Sequence, residues 1–159
     1  MLSLKEKNRK QTGEASIPKK ISFRQGLPGL ENYREFNLQA IENNPFFYHL
    51  QSTAEKAVGL ILIDPFPCFP GYSVELGADE QQELQADKKE DLLVLTTVTI
   101  AGEKKITSNL AAPIVINLAR GLALQIIIPE RLPERRALVP LRRQETENRK
   151  QKQGQEAKE

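Results

Sequence analysis

The chain has 159 residues, 39% of them hydrophobic, enough for one domain with a modest core. One histidine and one cysteine exclude multi-histidine metal centres, thiolate zinc sites and an intrachain disulfide, and a lone Cys68 fits a reducing cytoplasm. The net charge of +2 is unevenly spread: residues 1–20 carry +4, residues 142–159 carry +2, and the body between them, with eleven basic and fifteen acidic residues, carries −4.

Residues 1–20 and 142–159 are rich in Lys, Arg, Glu and Gln. They read as a flexible basic N-terminal segment and a disordered charged tail flanking one domain over 21–141. The opening "MLSLKEKNRKQTGE" lacks the apolar core of a secretion signal. No run approaches the roughly 18 apolar residues of a membrane helix, so a soluble chain with no membrane partner is expected. An acidic body argues against direct nucleic-acid recognition by the fold, although basic ends can touch RNA or an acidic partner.

Strand signals dominate from Ile21 onward. "KISF" reads as a short strand, and "RQGLPGLENY" as a turn, because glycine and proline crowd together. "REFNLQAI" alternates Phe36, Leu38 and Ala40 toward one face, the period of a half-buried strand. "NNPFFYHLQS" opens as a turn and continues as an aromatic strand, and "KAVGLILID" is a short apolar strand.

Next comes "PFPCFPGY", with Pro65, Pro67, Pro70, Phe66, Phe69 and Tyr72. Prolines fix φ and remove backbone donors, so this stretch is no central strand and reads as a rigid loop. "YSVEL" leaves it as a strand, and "GADEQQELQA" reads as a short surface helix with Asp79 as N-cap and Leu84 as its apolar anchor. From Leu92 to Ile128 lie fourteen Val, Ile and Thr residues, read as four strands joined through "AGEKK" and "LARGLA". Pro113 falls near the start of the third. Many short strands with frequent turns predict an all-β fold, a compact antiparallel β-barrel-like single domain with one or two short surface helices.

For chemistry, His49 and Cys68 could form a base and nucleophile pair, with Asp64 as a minority general base. The simpler reading packs His49 and Cys68 among apolar neighbours and makes Asp64 an Asx cap. Asn109 and Asn117 are expected to satisfy backbone groups at strand ends. No cofactor or metal is implied. The rigid aromatic loop reads as a contact surface of low ordering cost, or else as a plug of the barrel end. Three classes therefore stay open on residues alone: an interaction protein, a small-molecule or enzymatic barrel around His49, Cys68 and Asp64, and an RNA-associated protein using basic ends.

Several stretches, taken in order, resemble the FliW family of flagellar assembly factors. They are Phe23 with Gly26-Leu27-Pro28-Gly29 and Glu31, then Pro45-Phe46 with Leu50-Gln51-Ser52, then Asp64-Pro65-Phe66 with Phe69-Pro70 and Tyr72. The last set is Asn109-Leu110, Ala112-Pro113, Ile116-Asn117 and Gln125, so that the resemblance covers residues 21–138. The chain departs from the family pattern at Arg24, at Gly71 and at Leu132 within "RLPERRALVPL". The resemblance implies a non-enzymatic cytoplasmic protein that binds flagellin. It also implies alternative binding to the RNA-binding translational regulator CsrA, antagonised allosterically, which couples flagellin synthesis to assembly. Phe66, Phe69 and Tyr72, with Asn44 and Phe46 nearby, are the expected contact residues.

Overall fold

The computed structural model describes residues 2–5, 20–102, 105–131 and 135–137. In chain order the strands are β1 (Leu2–Leu4), β2 (Ile21–Phe23), β3 (Glu35–Ala40), β4 (Phe47–Ser52), β5 (Gly59–Ile63), β6 (Val74–Leu76), β7 (Leu92–Ala101), β8 (Lys105–Asn109), β9 (Ile114–Asn117), β10 (Leu122–Gln125) and β11 (Arg135–Ala137). Two short helices, α1 (Pro65–Cys68) and α2 (Ala78–Glu83), flank β6. The all-β expectation is met.

Seven strands close a barrel in the order β7-β5-β4-β3-β2-β10-β9, with β9 returning to β7. All pairings among the described strands are antiparallel except β2 with β10, which run parallel with Ala123 opposite Phe23. The sequence reading expected antiparallel neighbours throughout; this pairing joins segments about a hundred residues apart, a separation local patterns do not report. β7 is long enough to serve three partners. Its first half pairs with β9, Thr96 and Thr97 face β5, and its second half forms a hairpin with β8. At the crossover Thr96 Oγ1 lies 2.7 Å from Ser108 Oγ, which satisfies two buried hydroxyls.

The strands divide into those buried on one face and those buried on both. β3 alternates as expected at Phe36 and Leu38, which are buried between exposed neighbours, but Ala40, expected on the same half-buried face, is exposed at the strand's end. β9 is buried at all four positions, because it carries a core on each side. Inside the barrel, Leu93, Leu95, Ile114, Ile116 and Ala123 meet Ile21, Phe23, Phe36, Leu50 and Leu62. On the other face of the same wall, Leu92, Val94, Val115, Leu124 and Ile126 meet residues of α1, β6 and the segment after α2, among them Cys68, Phe69, Val74, Leu76 and Leu84. The molecule thus has a barrel interior and an outer core, back to back across β7, β9 and β10.

Two local expectations are corrected. α2 starts at Ala78 with Gly77 as its N-cap and no side-chain cap bond, so Asp79 sits in the first turn, where a carboxylate favours the helix N-terminus. Leu2–Leu4, expected within a flexible segment, pair with Val74–Leu76. Leu4 is buried in the outer core, and that apolar contact fixes the strand. The expectations for residues 6–19 and 138–159 lie outside the described residues.

The "GLPG" turn shows how the sequence dictates its local form. Leu30 N–H donates to the Leu27 carbonyl at 2.8 Å, with Pro28 and Gly29 central and Gly29 at φ 86°. That is a type II turn, which fits proline first and glycine second. Glu31 Oε1 accepts from Gly29 N–H at 2.9 Å, and this bond holds the Glu31 carboxyl below its usual range.

Candidate partner-binding face

The proline segment folds onto the barrel's outer wall. Asp64 Oδ1 accepts from Phe66 N–H at 3.1 Å, Pro65 occupies the first helical position, and Phe69 N–H donates to the Pro65 carbonyl at 2.9 Å. Pro65 and Pro67 therefore sit within a single capped turn, which Pro65 can open because a helix start needs no N–H at its first position, and Pro70 follows it. The expected loop is a short helix, and the Asx cap proposed for Asp64 is present.

This turn decides where each ring goes. Phe69 and Tyr72 are only 4% and 3% exposed and belong to the outer core, so the expectation that they offer exposed contact area is corrected. The capped turn rolls Phe69 inward beside Cys68, and Tyr72 is anchored by its hydroxyl, which donates to the Leu110 carbonyl at 2.7 Å. Phe66 stays half-buried, its ring centroid 6.0 Å from that of Tyr72. Arg131 also lies over the Tyr72 ring, with Cζ 5.1 Å from its centre, a cation–π contact that the sequence reading did not foresee.

The remaining candidates lie close by. Asp64 N–H donates to the Phe46 carbonyl at 2.8 Å, tying the turn before β4 to the proline segment. Within that turn Asn44 is exposed and Phe46 half-buried, and both Phe46 and Phe66 pack against the outer core. The structure thus brings together Asn44, Phe46 and Phe66 as a partly exposed aromatic face, with Phe69 and Tyr72 as its foundation.

His49 and Cys68 do not form a pair. His49 stands half-buried on the barrel's outer face, opposite Gln39 and Ile61, while its neighbours Tyr48 and Leu50 point inward. The Cys68 thiol lies in the outer core and donates to the Asp64 carbonyl at 3.6 Å. Burial, helped by the nearby Asp64 charge, pushes this thiol up to about 12, so it is an unreactive thiol at neutral pH. Among the described residues no group of three His, Cys, Asp or Glu side chains could hold a metal ion, and no helix is long and apolar enough to cross a membrane.

The FliW protein family matches this chain over residues 5–137. The chain belongs to the FliW family. It is 42% identical over 110 residues to the flagellar assembly factor FliW of Moorella thermoacetica, covering 68% of this chain and 70% of that protein. With the FliW of Clostridium tetani it shares 39% over 109 residues, 68% of this chain and 75% of the relative. A crystal structure of the flagellar assembly factor FliW superimposes with a TM-score of 0.70 at 33% identity, covering 76% of this chain and 85% of that one.

The polar residues that carry the FliW resemblance satisfy backbone groups. Asn109 Oδ1 accepts from Ala111 N–H at 3.1 Å, and Gln125 Nε2 donates to the Ala112 carbonyl at 3.0 Å, so together they shape the turn between β8 and β9. Buried Asn117 donates to the carbonyls of Leu84 at 2.8 Å and Gln85 at 3.1 Å and accepts from Ala119 and Arg120, clamping the end of α2 to the β9–β10 turn. Ser52 Oγ accepts from Ala54 and Glu55 in the same way. The polar part of the family pattern is therefore mainly a folding pattern; its exposed or half-buried members include Pro28, Gly29 and Glu31 on the first turn and Pro45, Phe46, Phe66 and Pro70 around the proline segment.

Proposed function

We propose that this chain binds newly made flagellin in the cytoplasm and alternatively binds CsrA, acting by occupancy without catalysing a reaction. The observation that carries this reading is FliW family membership across 5–137. When flagellin accumulates it occupies the chain and frees CsrA to repress flagellin translation. When flagellin is exported, the chain sequesters CsrA and allosterically antagonises it away from its RNA surface, coupling synthesis to assembly. Mutually exclusive partners of comparable affinity form such a switch through population alone. The body charge of −4 favours encounter with a basic RNA-binding partner.

Asn44, Phe46 and Phe66 are the proposed contact residues, with Phe69 and Tyr72 holding them from beneath. Half-buried aromatic rings on a preformed turn lose little freedom on binding, and such rings dominate many interfaces. The placement of Asp64 as a cap and Cys68 as core favours this reading over a barrel enzyme.

The test is calorimetric titration with purified CsrA and with export-competent flagellin, each repeated in the presence of the other. Binding to both, with each blocking the other, is the expected result. Binding to flagellin alone leaves a chaperone, and binding to neither overturns the proposal. Phe66→Ala is expected to weaken partner binding at least tenfold while leaving the melting temperature within a few degrees, as befits a half-exposed ring.

A further inference from the structure

On another part of the surface two unpaired strand edges face each other. β6 pairs only with β1, so among the described residues its second edge has no strand partner, and Gln81 Nε2 donates to the Leu76 carbonyl at 3.0 Å at its end. Beyond β10 the chain stays extended, and Ile126 and Ile128 N–H donate to the carbonyls of Pro113 and Ala111, both at 2.8 Å. Alternation turns the N–H and C=O of Ile127 to the opposite edge, where they make no hydrogen bond to a described residue. Ser73, Glu75 and Gly77 on one side and Ile126–Ile128 on the other line one groove of about 410 Å³.

The groove has an apolar centre and an acidic rim. Ile127 is 49% exposed, a large apolar side chain left in solvent. Glu75, Glu80 and Glu130 line the groove, and Asp79 and Glu83 line its continuation along α2, against one cation among the described lining residues, Arg131, whose guanidinium lies over Tyr72. Carboxylates beside an open edge oppose pairing with a second copy of the same acidic rim. They favour an occupant of opposite charge.

We propose that this groove takes an extended cationic peptide segment of a partner protein by strand addition. The peptide backbone meets the free edges at Ile127 and β6, apolar side chains on one face cover Ile127, and Lys or Arg side chains reach Glu75, Glu80 and Glu130. The groove shares no residue with the Asn44–Phe46–Phe66 face, so its test stands or falls apart from the flagellin and CsrA reading.

The probe is a fluorescein-labelled, end-blocked peptide of alternating valine and lysine, titrated into the full chain by anisotropy, with alternating valine and glutamate as its counterpart. Saturable binding of the lysine peptide alone is expected, falling with added salt. Ile127→Lys, and separately the double variant Glu75→Gln/Glu130→Gln, should each weaken it at least tenfold. Ile100→Lys, which alters an exposed side chain on the β7–β8 hairpin, should leave it unchanged. Melting curves confirm that each variant is folded, and the neutral Gln pair serves if Ile127→Lys is not. The Ile127 amide should gain protection from hydrogen exchange in the complex. Equal binding of both peptides, indifference to the groove variants, or an unprotected Ile127 amide would overturn the proposal. So would a dimer in sedimentation that Ile127→Lys dissociates and the peptide cannot, since the groove would then belong to a second copy.

Discussion

The barrel interior and the outer core use opposite faces of the same strands, β7, β9 and β10, yet they are closed in different ways. The interior is sealed by continuous ladders around seven strands, and Phe23 meets Phe36 edge to face at 5.5 Å within it. The outer core is sealed by one excursion of the chain, residues 64–86, plus three residues of β1. Besides apolar packing and the β1 pairing, that cover is held by the Asp64 N–H on the Phe46 carbonyl, the Tyr72 hydroxyl on Leu110, and the Asn117 clamp on the end of α2, with the Asp64 side chain capping its first turn. A cover held at few points opens at lower free energy than a closed ladder. Of the proposed contact residues, Phe66 lies on the cover, while Asn44 and Phe46 lie on the turn before β4, which is tied to it through the Phe46 carbonyl.

The largest expected effect comes from the interior. Phe36→Ala removes a fully buried ring from the closed barrel and should cost about 3–5 kcal/mol in urea unfolding, with all barrel strands losing hydrogen-exchange protection together. Phe69→Ala removes a ring of the same size from the outer core, where the cover can settle, and should cost about 3 kcal/mol. Its mark is uneven: amides of residues 65–86 lose protection first while β3 and β4 keep theirs. Equal loss everywhere would mean that the two cores unfold as one.

Asn117→Ala should cost about 2 kcal/mol, because it leaves the buried carbonyl of Leu84 and the amides of the β9–β10 turn without their partner. Asp64→Ala removes the cap of α1 and should cost about 1 kcal/mol, with Asp64→Asn recovering most of it.

The same contrast explains what was legible in the sequence. The interior could be read because β3 is buried on one face, and the spacing of Phe36 and Leu38 reports that directly. β9 could be read as a strand but not as a two-sided wall, since an unbroken apolar run does not say what covers each face. The proline segment has no period at all. Whether Phe69 points in or out depends on a helical turn set by Asp64, so sequence allowed either a contact surface or a plug. Asn109 and Asn117 were legible as backbone partners from their positions at strand ends. Arg131 over Tyr72 and the groove at Ile127 were not, because each joins segments that meet only in the finished fold.

Cys68 supplies the finest test of the contrast, because it sits under the cover as a built-in reporter. Its folded thiol titrates near 12 against an ordinary value of 9.0, so below that ordinary value it is protonated folded or unfolded and contributes no pH dependence. As pH rises from 9.0 toward 12 the unfolded thiol ionises and the folded one resists, so stability falls over that window. Cys68→Ala should flatten that part of the profile. At neutral pH the native thiol reacts with a disulfide reagent only when the cover lifts. Asp64→Ala weakens the cover by about 1 kcal/mol and should speed labelling about fivefold. Phe36→Ala, although more destabilising overall, should leave labelling near the wild-type rate as long as lifting the cover remains easier than opening the barrel. If labelling instead follows global stability across both variants, the outer core has no opening of its own, and the proposed partner-binding face is as rigid as the barrel beneath it.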